Sequence, residues 1–439
     1  MKLTQLGSKI DRQIEAYLQP VVKELVDQVP GIQSVLLGGG FGRGEGSVEI
    51  LDSEPVPVND FELFVITDQK VDEATVNKVA SAATAALPVS RKKGHSFATF
   101  DRDVFSDTLY VDLKILTRQD LSSLLPMIRY YELKHASTVL WGEDVTVLIP
   151  DHSIEDLPLA EGLRVLLNRL SLVLLYFDTD FLGRSLDMSE SRALQYLAGK
   201  SITDIPTALL LLSGDFVPSY EKRAQIFATI YEQKFPELAK KYPDLASNVL
   251  QAAEFKLKPS FSIQKEPAQL WEFYKQTALP VLYYYLEQMS GQKIETHTQA
   301  VAVLKSIIAT DYYSPYLRYF MQKKLRIPFF PPGITWLFQR YYNVLMMLRM
   351  YFFQKRLYLP LLWAPYGYDA HLFSTMIGLL ESLDAKRNYV DVSKLFATKK
   401  ELQKIYKVGE RQHDLLSYWQ ELNACFADAY LLFGYLKLV

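Results

Sequence analysis

Six of the nine residues from Gly38 to Gly46 are glycine, in the run Leu36-Leu37-Gly38-Gly39-Gly40-Phe41-Gly42-Arg43-Gly44-Glu45-Gly46. Glycine lets a backbone turn sharply and approach a ligand closely. A strand that enters such a loop presents amide groups to an anion, typically a phosphate. No Gly-Lys-Ser/Thr follows, so this is not the mononucleotide phosphate loop, and a helix already precedes the strand, which argues against a dinucleotide-binding unit. Next comes Asn59-Asp60-Phe61-Glu62-Leu63. Asp60 and Glu62 are two apart, so on a strand their carboxylates share one face while Phe61, Leu63 and Val65 point to the other. Two acids so placed repel unless a cation lies between them, and hard oxygen ligands at this spacing suit Mg²⁺. A third acid, Asp112, sits mid-strand in Thr108–Leu116, where Asp is disfavoured. Three carboxylates on neighbouring strands can hold two divalent ions about 3.5–4 Å apart, the arrangement that serves phosphoryl transfer. The alternatives are a solvated polar strand edge for Asp60 and Glu62, and a lysine partner, Lys114 or Lys92, for Asp112.

The elements that must position these groups occupy residues 1–150. Ile10, Ile14, Leu18, Val21, Val22 and Leu25 recur at helical spacing. Ser34–Leu37 reads as a strand running into the glycines, Phe61–Thr67 as a second strand, and 71–86 as a helix closed by Pro88. Ser96–Phe100 and Thr108–Leu116 read as a hairpin pair, and Asp120–His135 as a third helix. Beyond Leu157 the pattern is helical throughout, over 157–177, 189–199, 204–213, 219–233, 236–254, 266–288, 296–308, 334–357, 368–384 and a broken 397–437. The expected class is α+β, a small mixed β-sheet followed by a large all-α region. The expected divisions are 1–150, 151–258 and 259–439.

Glycine loop, strand acid pair and later strand acid, in that order, resemble the nucleotidyltransferase superfamily with the DNA polymerase β-like catalytic fold. Gly39-Gly40 lie where that family has a Gly-Ser pair, Asp60, Glu62 and Asp112 match its three metal-binding acids, and Trp141-Gly142-Glu143-Asp144 looks like its closing aromatic-Gly-x-Asp element. The likeness covers about residues 8–150. It departs at Gly40, which lacks the family's hydroxyl, and in an insertion near Ile50–Val58. The segments around Lys200 and around Ser219, Tyr220 and Arg223 look like the helical domain of bacterial small-substrate nucleotidyltransferases. The resemblance implies that Gly39, Gly40 and Arg43 cradle the phosphates of a nucleoside triphosphate, ATP first among them. It implies further that Asp60, Glu62 and Asp112 hold two Mg²⁺ ions, and that Lys200, with Tyr220 or Arg223, neutralises triphosphate charge. Asn168 and Arg169 interrupt an apolar helix and are candidates to line the cleft, and His95 is a candidate phosphate contact. Nucleotidyl transfer to a hydroxyl or amine of a small-molecule or protein acceptor, with release of pyrophosphate, is the expected activity. The alternatives are a catalytically inactive nucleotide-binding and protein-interaction module, and an RNA- or tRNA-end nucleotidyltransferase.

Composition bounds these readings. The chain has 439 residues, with 48 Lys plus Arg against 50 Asp plus Glu and a net charge of −2. A long nucleic-acid partner is disfavoured, because phosphate neutralisation supplies most of such affinity. With one cysteine, Cys425, there is no disulfide within the chain and no Cys-rich zinc site; an apolar helical setting makes it an inert core thiol. The six histidines are scattered with no metal-ligand spacing. The N-terminus lacks the apolar run of a signal peptide, and Arg340, Arg349, Lys355 and Arg356 break the most apolar stretch, so no membrane partner and a cytoplasmic location are expected.

Overall fold

The computed structural model describes residues 1–51, 53–58, 60–89, 109–261, 266–323, 325–331, 333–355, 358–409 and 414–434. His95, Lys92 and the expected strand Ser96–Phe100 lie outside them. The chain divides into two compact units, one formed by Met1–Glu161 with Leu209–Ile263, the other by Gly162–Ala208 with Gln264–Val439.

The α+β expectation is what the structure has. The strands are β1 (Ile32–Leu37), β2 (Val48–Leu51), β3 (Glu54–Pro57), β4 (Phe61–Thr67), β5 (Val111–Thr117), β6 (Thr138–Gly142) and the short β7 (Leu383–Asp384) and β8 (Tyr389–Val390). The helices through the first unit and into the second are α1 (Ser8–Gln28), α2 (Gly39–Gly42), α3 (Glu73–Ala86), α4 (Arg118–Leu121), α5 (Ile128–Ala136), α6 (Leu159–Tyr176), α7 (Met188–Thr203), α8 (Ile205–Ser213), α9 (Tyr220–Lys234), α10 (Pro236–Lys241) and α11 (Leu245–Leu257). The remainder are α12 (Pro267–Ser290), α13 (His297–Ile307), α14 (Ser314–Lys323), α15 (Ile334–Gln354), α16 (Pro360–Trp363), α17 (Tyr368–Ser382), α18 (Val392–Leu402) and α19 (Leu415–Gly434).

The main sheet runs β5-β4-β1-β6, with β1 antiparallel to both β4 and β6 and β4 parallel to β5. One face packs on α1 and α3 through Phe61, Leu63, Val65, Val111 and Leu113, with Ile14, Leu18, Val21 and Leu25 from α1. Period-2 alternation puts Glu62, Phe64 and Asp112 on the opposite face. Several expectations change. β5 pairs in parallel with β4, while its expected hairpin partner, Ser96–Phe100, is among the residues not described. The expected helix over Asp120–His135 is two, α4 and α5, because Pro126 pushes Leu125 out of the helical region. The insertion at Ile50–Val58 forms most of the β2–β3 hairpin. Pro243 divides 236–254 into α10 and α11 in the same way. α14 and the two-residue strands β7 and β8 escaped the pattern reading, being too short or too weakly periodic to register.

Candidate functional site

The antiparallel register of β1 on β4 pairs Leu37 with Leu63. The chain therefore leaves β1 above the start of β4, and the glycine turn falls beside the strand acids. Gly38 N–H donates to Glu62 O at 2.8 Å. Gly39 stands at φ +60°, where a side chain is strained, and a Cβ there would lie 2.5 Å from Glu62 Oε1. At Gly42 an added Cβ would collide with the Leu37 carbonyl oxygen. The glycines are thus required by a tight turn, α2, stacked directly on Glu62. Its first amides, those of Gly39 and Gly40, open the turn with no earlier carbonyl of the helix to meet. Gly40 is closed from behind, its carbonyl accepting from Glu45 N at 2.8 Å.

The parallel register of β4 and β5 sets Glu62 opposite Asp112. On adjacent strands about 4.8 Å apart the two carboxylates share one face. Asp60 sits half-buried just before β4, and the next amide, Phe61 N–H, donates to Tyr110 O at 3.2 Å, tying that step to β5. Among the described residues Asp112 Oδ1 is buried with no hydrogen-bond partner, and so is Lys114 Nζ, which lies 3.6 Å from Asp112 Oδ2. Lys114 Nζ also sits 5.2 Å from the Phe64 ring centroid. A buried carboxylate oxygen without a donor is uncommon and calls for a water or a cation. Among the described residues no three His, Cys, Asp or Glu side chains gather closely enough to hold a metal ion by themselves. What fits is the Glu62–Asp112 pair, since Mg²⁺ is bound by one or two carboxylates completed by water and phosphate oxygens.

Beneath the glycine turn lies a network that spacing did not reveal. The Arg43 side chain is buried, donates to Glu132 Oε2 at 2.7 Å and approaches Glu45 Oε2 at 3.6 Å. Burial works against its charge, but Glu132, Tyr220, Glu45 and Glu62 outweigh that and raise its pKa. Arg223 reaches the other oxygen of Glu132 at 3.1 Å. The Tyr220 ring centroid lies 4.6 Å from the Arg43 guanidinium and 4.5 Å from that of Arg223, with Lys256 Nζ 5.6 Å away. Buried Glu45 accepts from Ser219 Oγ at 2.6 Å and from the amides of Tyr220 and Glu221 at 2.8 and 3.1 Å, so it caps α9 across the fold. Lys256 Nζ donates to Ser47 Oγ at 2.7 Å. Of these, Arg43, Tyr220 and Arg223 were singled out from sequence. Glu45, Ser47, Glu132 and Lys256 were not, although an acid inside a glycine run was a signal for Glu45.

The remaining candidates belong to other elements. Lys200 is on α7 in the second unit, its Nζ 5.9 Å from the Tyr196 ring centroid. Its role stays with the family resemblance alone. Asn168 and Arg169 have partners within that unit: Tyr430 Oη donates to Asn168 Oδ1 at 3.2 Å, and Arg169 pairs with Asp204. Asp144 caps the turn at Thr146, whose donors hold its pKa down. Cys425 is half-buried on α19 and in no disulfide. A 400 Å³ groove of the first unit runs between α1 and the β6 edge, lined by Leu18, Val22, Lys23 and Trp141, away from the acids. No described helix is long and apolar enough to cross a membrane.

No family model matches the chain, and no curated protein matches it. Among solved structures it is similar to a spectinomycin adenyltransferase from Enterococcus faecialis determined with ATP and spectinomycin, at 12% identity over 61% of this chain and 98% of that one, with a TM-score of 0.31.

Proposed function

We propose that the first unit is a Mg²⁺-dependent nucleotidyltransferase, acting on a nucleoside triphosphate, ATP first among them, and a small-molecule or protein acceptor. The observation that carries this reading is the convergence of the Gly39 turn, Glu62 and Asp112, whose Oδ1 has no partner among the described residues, at one end of the sheet. In this reading the amides of Gly39 and Gly40 meet phosphate oxygens, and buried Arg43 adds positive potential under the turn. Glu62 and Asp112, with Asp60 at the strand start, would hold Mg²⁺, which when bound neutralises triphosphate charge. The acceptor oxygen or nitrogen forms a bond to the α-phosphorus, the bond from that phosphorus to the bridging oxygen breaks, and pyrophosphate leaves. The acceptor's proton passes to a carboxylate, with Asp112 the candidate base.

A second reading, a nucleotide-binding module without turnover, is favoured by one observation: Lys114 already stands beside Asp112 where a metal would sit. One experiment separates them. Binding of the four triphosphates and release of pyrophosphate are followed with and without Mg²⁺, in wild type and in Glu62→Gln. Metal-dependent binding and release, with release reduced on the order of 100-fold in the variant, support the transferase. Binding without release across a panel of hydroxyl and amine acceptors supports the module. No binding of any triphosphate overturns both.

A further inference from the structure

Helix α15 is apolar on both sides. Tyr342, Met346 and Met350 are buried, with Gln339 Nε2 donating to Ile308 O at 2.9 Å and Asn343 Oδ1 accepting from Tyr368 N at 2.8 Å among them. Its outward stripe is apolar. Leu337, Tyr341, Val344, Leu348 and Tyr351 recur at spacings of four and three, all exposed, beside exposed Trp336 and Phe352. Arg340 donates to Ala364 O at 2.6 Å and covers the Trp336 ring at 5.3 Å, which ties the segment of exposed Trp363 to this face. The five aromatics, Trp336, Tyr341, Tyr351, Phe352 and Trp363, are 48–74% exposed. At ~200 Å² for each side chain they alone present roughly 600 Å² of apolar surface. A monomer rarely exposes so large a patch without using it, and a helix apolar on its outer face requires cover.

Charge selects what covers it. From Tyr312 to Tyr368 the chain has eight Lys or Arg and no Asp or Glu, leaving 40 basic against 50 acidic residues in the rest. Exposed Lys323 and Arg326 precede α15 in the chain, and exposed Lys355 ends it. A second copy of this face would bring two cationic rims together. The aliphatic Leu337, Val344 and Leu348 offer no stacking surface for nucleic-acid bases. Aromatic and aliphatic side chains in a stretch whose only charges are basic match an anionic lipid surface, where the apolar face enters the headgroup boundary and the cations meet lipid phosphates. We propose that the exposed face of α15, with Trp363, docks the second unit on an anionic bilayer. This contact needs no spanning helix and stands independently of the proposed catalysis.

The test is co-sedimentation of the full-length protein with vesicles of phosphatidylcholine alone and with about 30% phosphatidylserine. Roughly tenfold or stronger preference for the anionic vesicles, weakened by about 0.5 M salt, is expected. Leu348→Ser with Trp363→Ser should abolish binding, and Lys323→Glu with Lys355→Glu should remove the preference, both at unchanged thermal melting and unchanged triphosphate binding. Equal binding to neutral vesicles, or none to either, overturns the proposal. So does a concentration-dependent dimer in sedimentation that Leu348→Ser dissociates, which would make the face a self-association surface. Binding of single-stranded RNA competing with the vesicles would overturn it in favour of a nucleic acid.

Discussion

Asp112 and Lys114 stand two residues apart on one face of β5, close enough to attract at 3.6 Å yet without a hydrogen bond. The pair reads either as an ion pair sufficient in itself or as a carboxylate whose cation is a metal. Lys114→Met distinguishes them. If Asp112 is a metal ligand, removing the competing ammonium tightens Mg²⁺ binding about tenfold, a shift near 1.4 kcal/mol visible by calorimetry. If the pair is structural, the variant melts lower and gains no affinity. The glycines follow the same local logic: Gly39 is needed because φ +60° and the Glu62 carboxylate exclude a side chain together, not because the loop is loose.

At the scale of elements, the glycine turn is held by groups from several helices. Glu132 on α5 bridges Arg43 in the turn and Arg223 on α9. Glu132→Ala leaves two buried guanidiniums short of a carboxylate, and breaking a buried pair in this way costs about 3 kcal/mol. Urea unfolding followed by far-UV dichroism checks it, and a double-mutant cycle with Arg223→Ala should show strong coupling. In the second unit, α17 buries Asp369, which accepts from Tyr313 Oη and from Ala370 N. Burial pushes its pKa up to about 6, against the lowering effect of those donors. A raised carboxyl binds its proton more tightly folded than unfolded. Its native state is therefore penalised progressively as pH rises from near 4 through 6, and fully above that. Asp369→Asn should leave stability unchanged near pH 4 and raise it at pH 7, by at most on the order of 3 kcal/mol. A melting difference that stays constant with pH would show that Asp369 titrates at its ordinary value.

At the scale of the whole molecule, the first unit is assembled from two separated stretches of chain, Met1–Glu161 and Leu209–Ile263. The second stretch brings Ser219, Arg223 and Lys256, the partners of Glu45, Glu132 and Ser47. A fragment ending at Glu161 should therefore be molten or insoluble, whereas one ending at Ile263 should keep a cooperative melt of its own. Calorimetry of the two fragments checks this.

Much of the site was legible in the residues because its rules are local. A strand running into glycines, Glu62 on the face opposite Phe61 and Leu63, and Asp112 amid apolar neighbours follow from period-2 geometry and propensity, which depend on a few adjacent residues; Asp60 falls just before β4. The helical texture beyond Leu157 was legible for the same reason, while proline breaks at 126 and 243 show where periodicity alone overran. The sequence by itself determined which side chains are acidic, which face of its own strand each occupies, and that a tight turn precedes them. Only the tertiary structure decided that β5 runs parallel to β4, so that Asp112 meets Glu62 rather than the loop. It also decided that Arg43 is spent on Glu132, 89 residues away, beneath the turn it belongs to. Strand register and buried ion pairs depend on which surfaces pack together. That choice is made by the burial of α1 and α3 on one face of the sheet and by the desolvation of charges on the other, and neither is a property of any short stretch of chain.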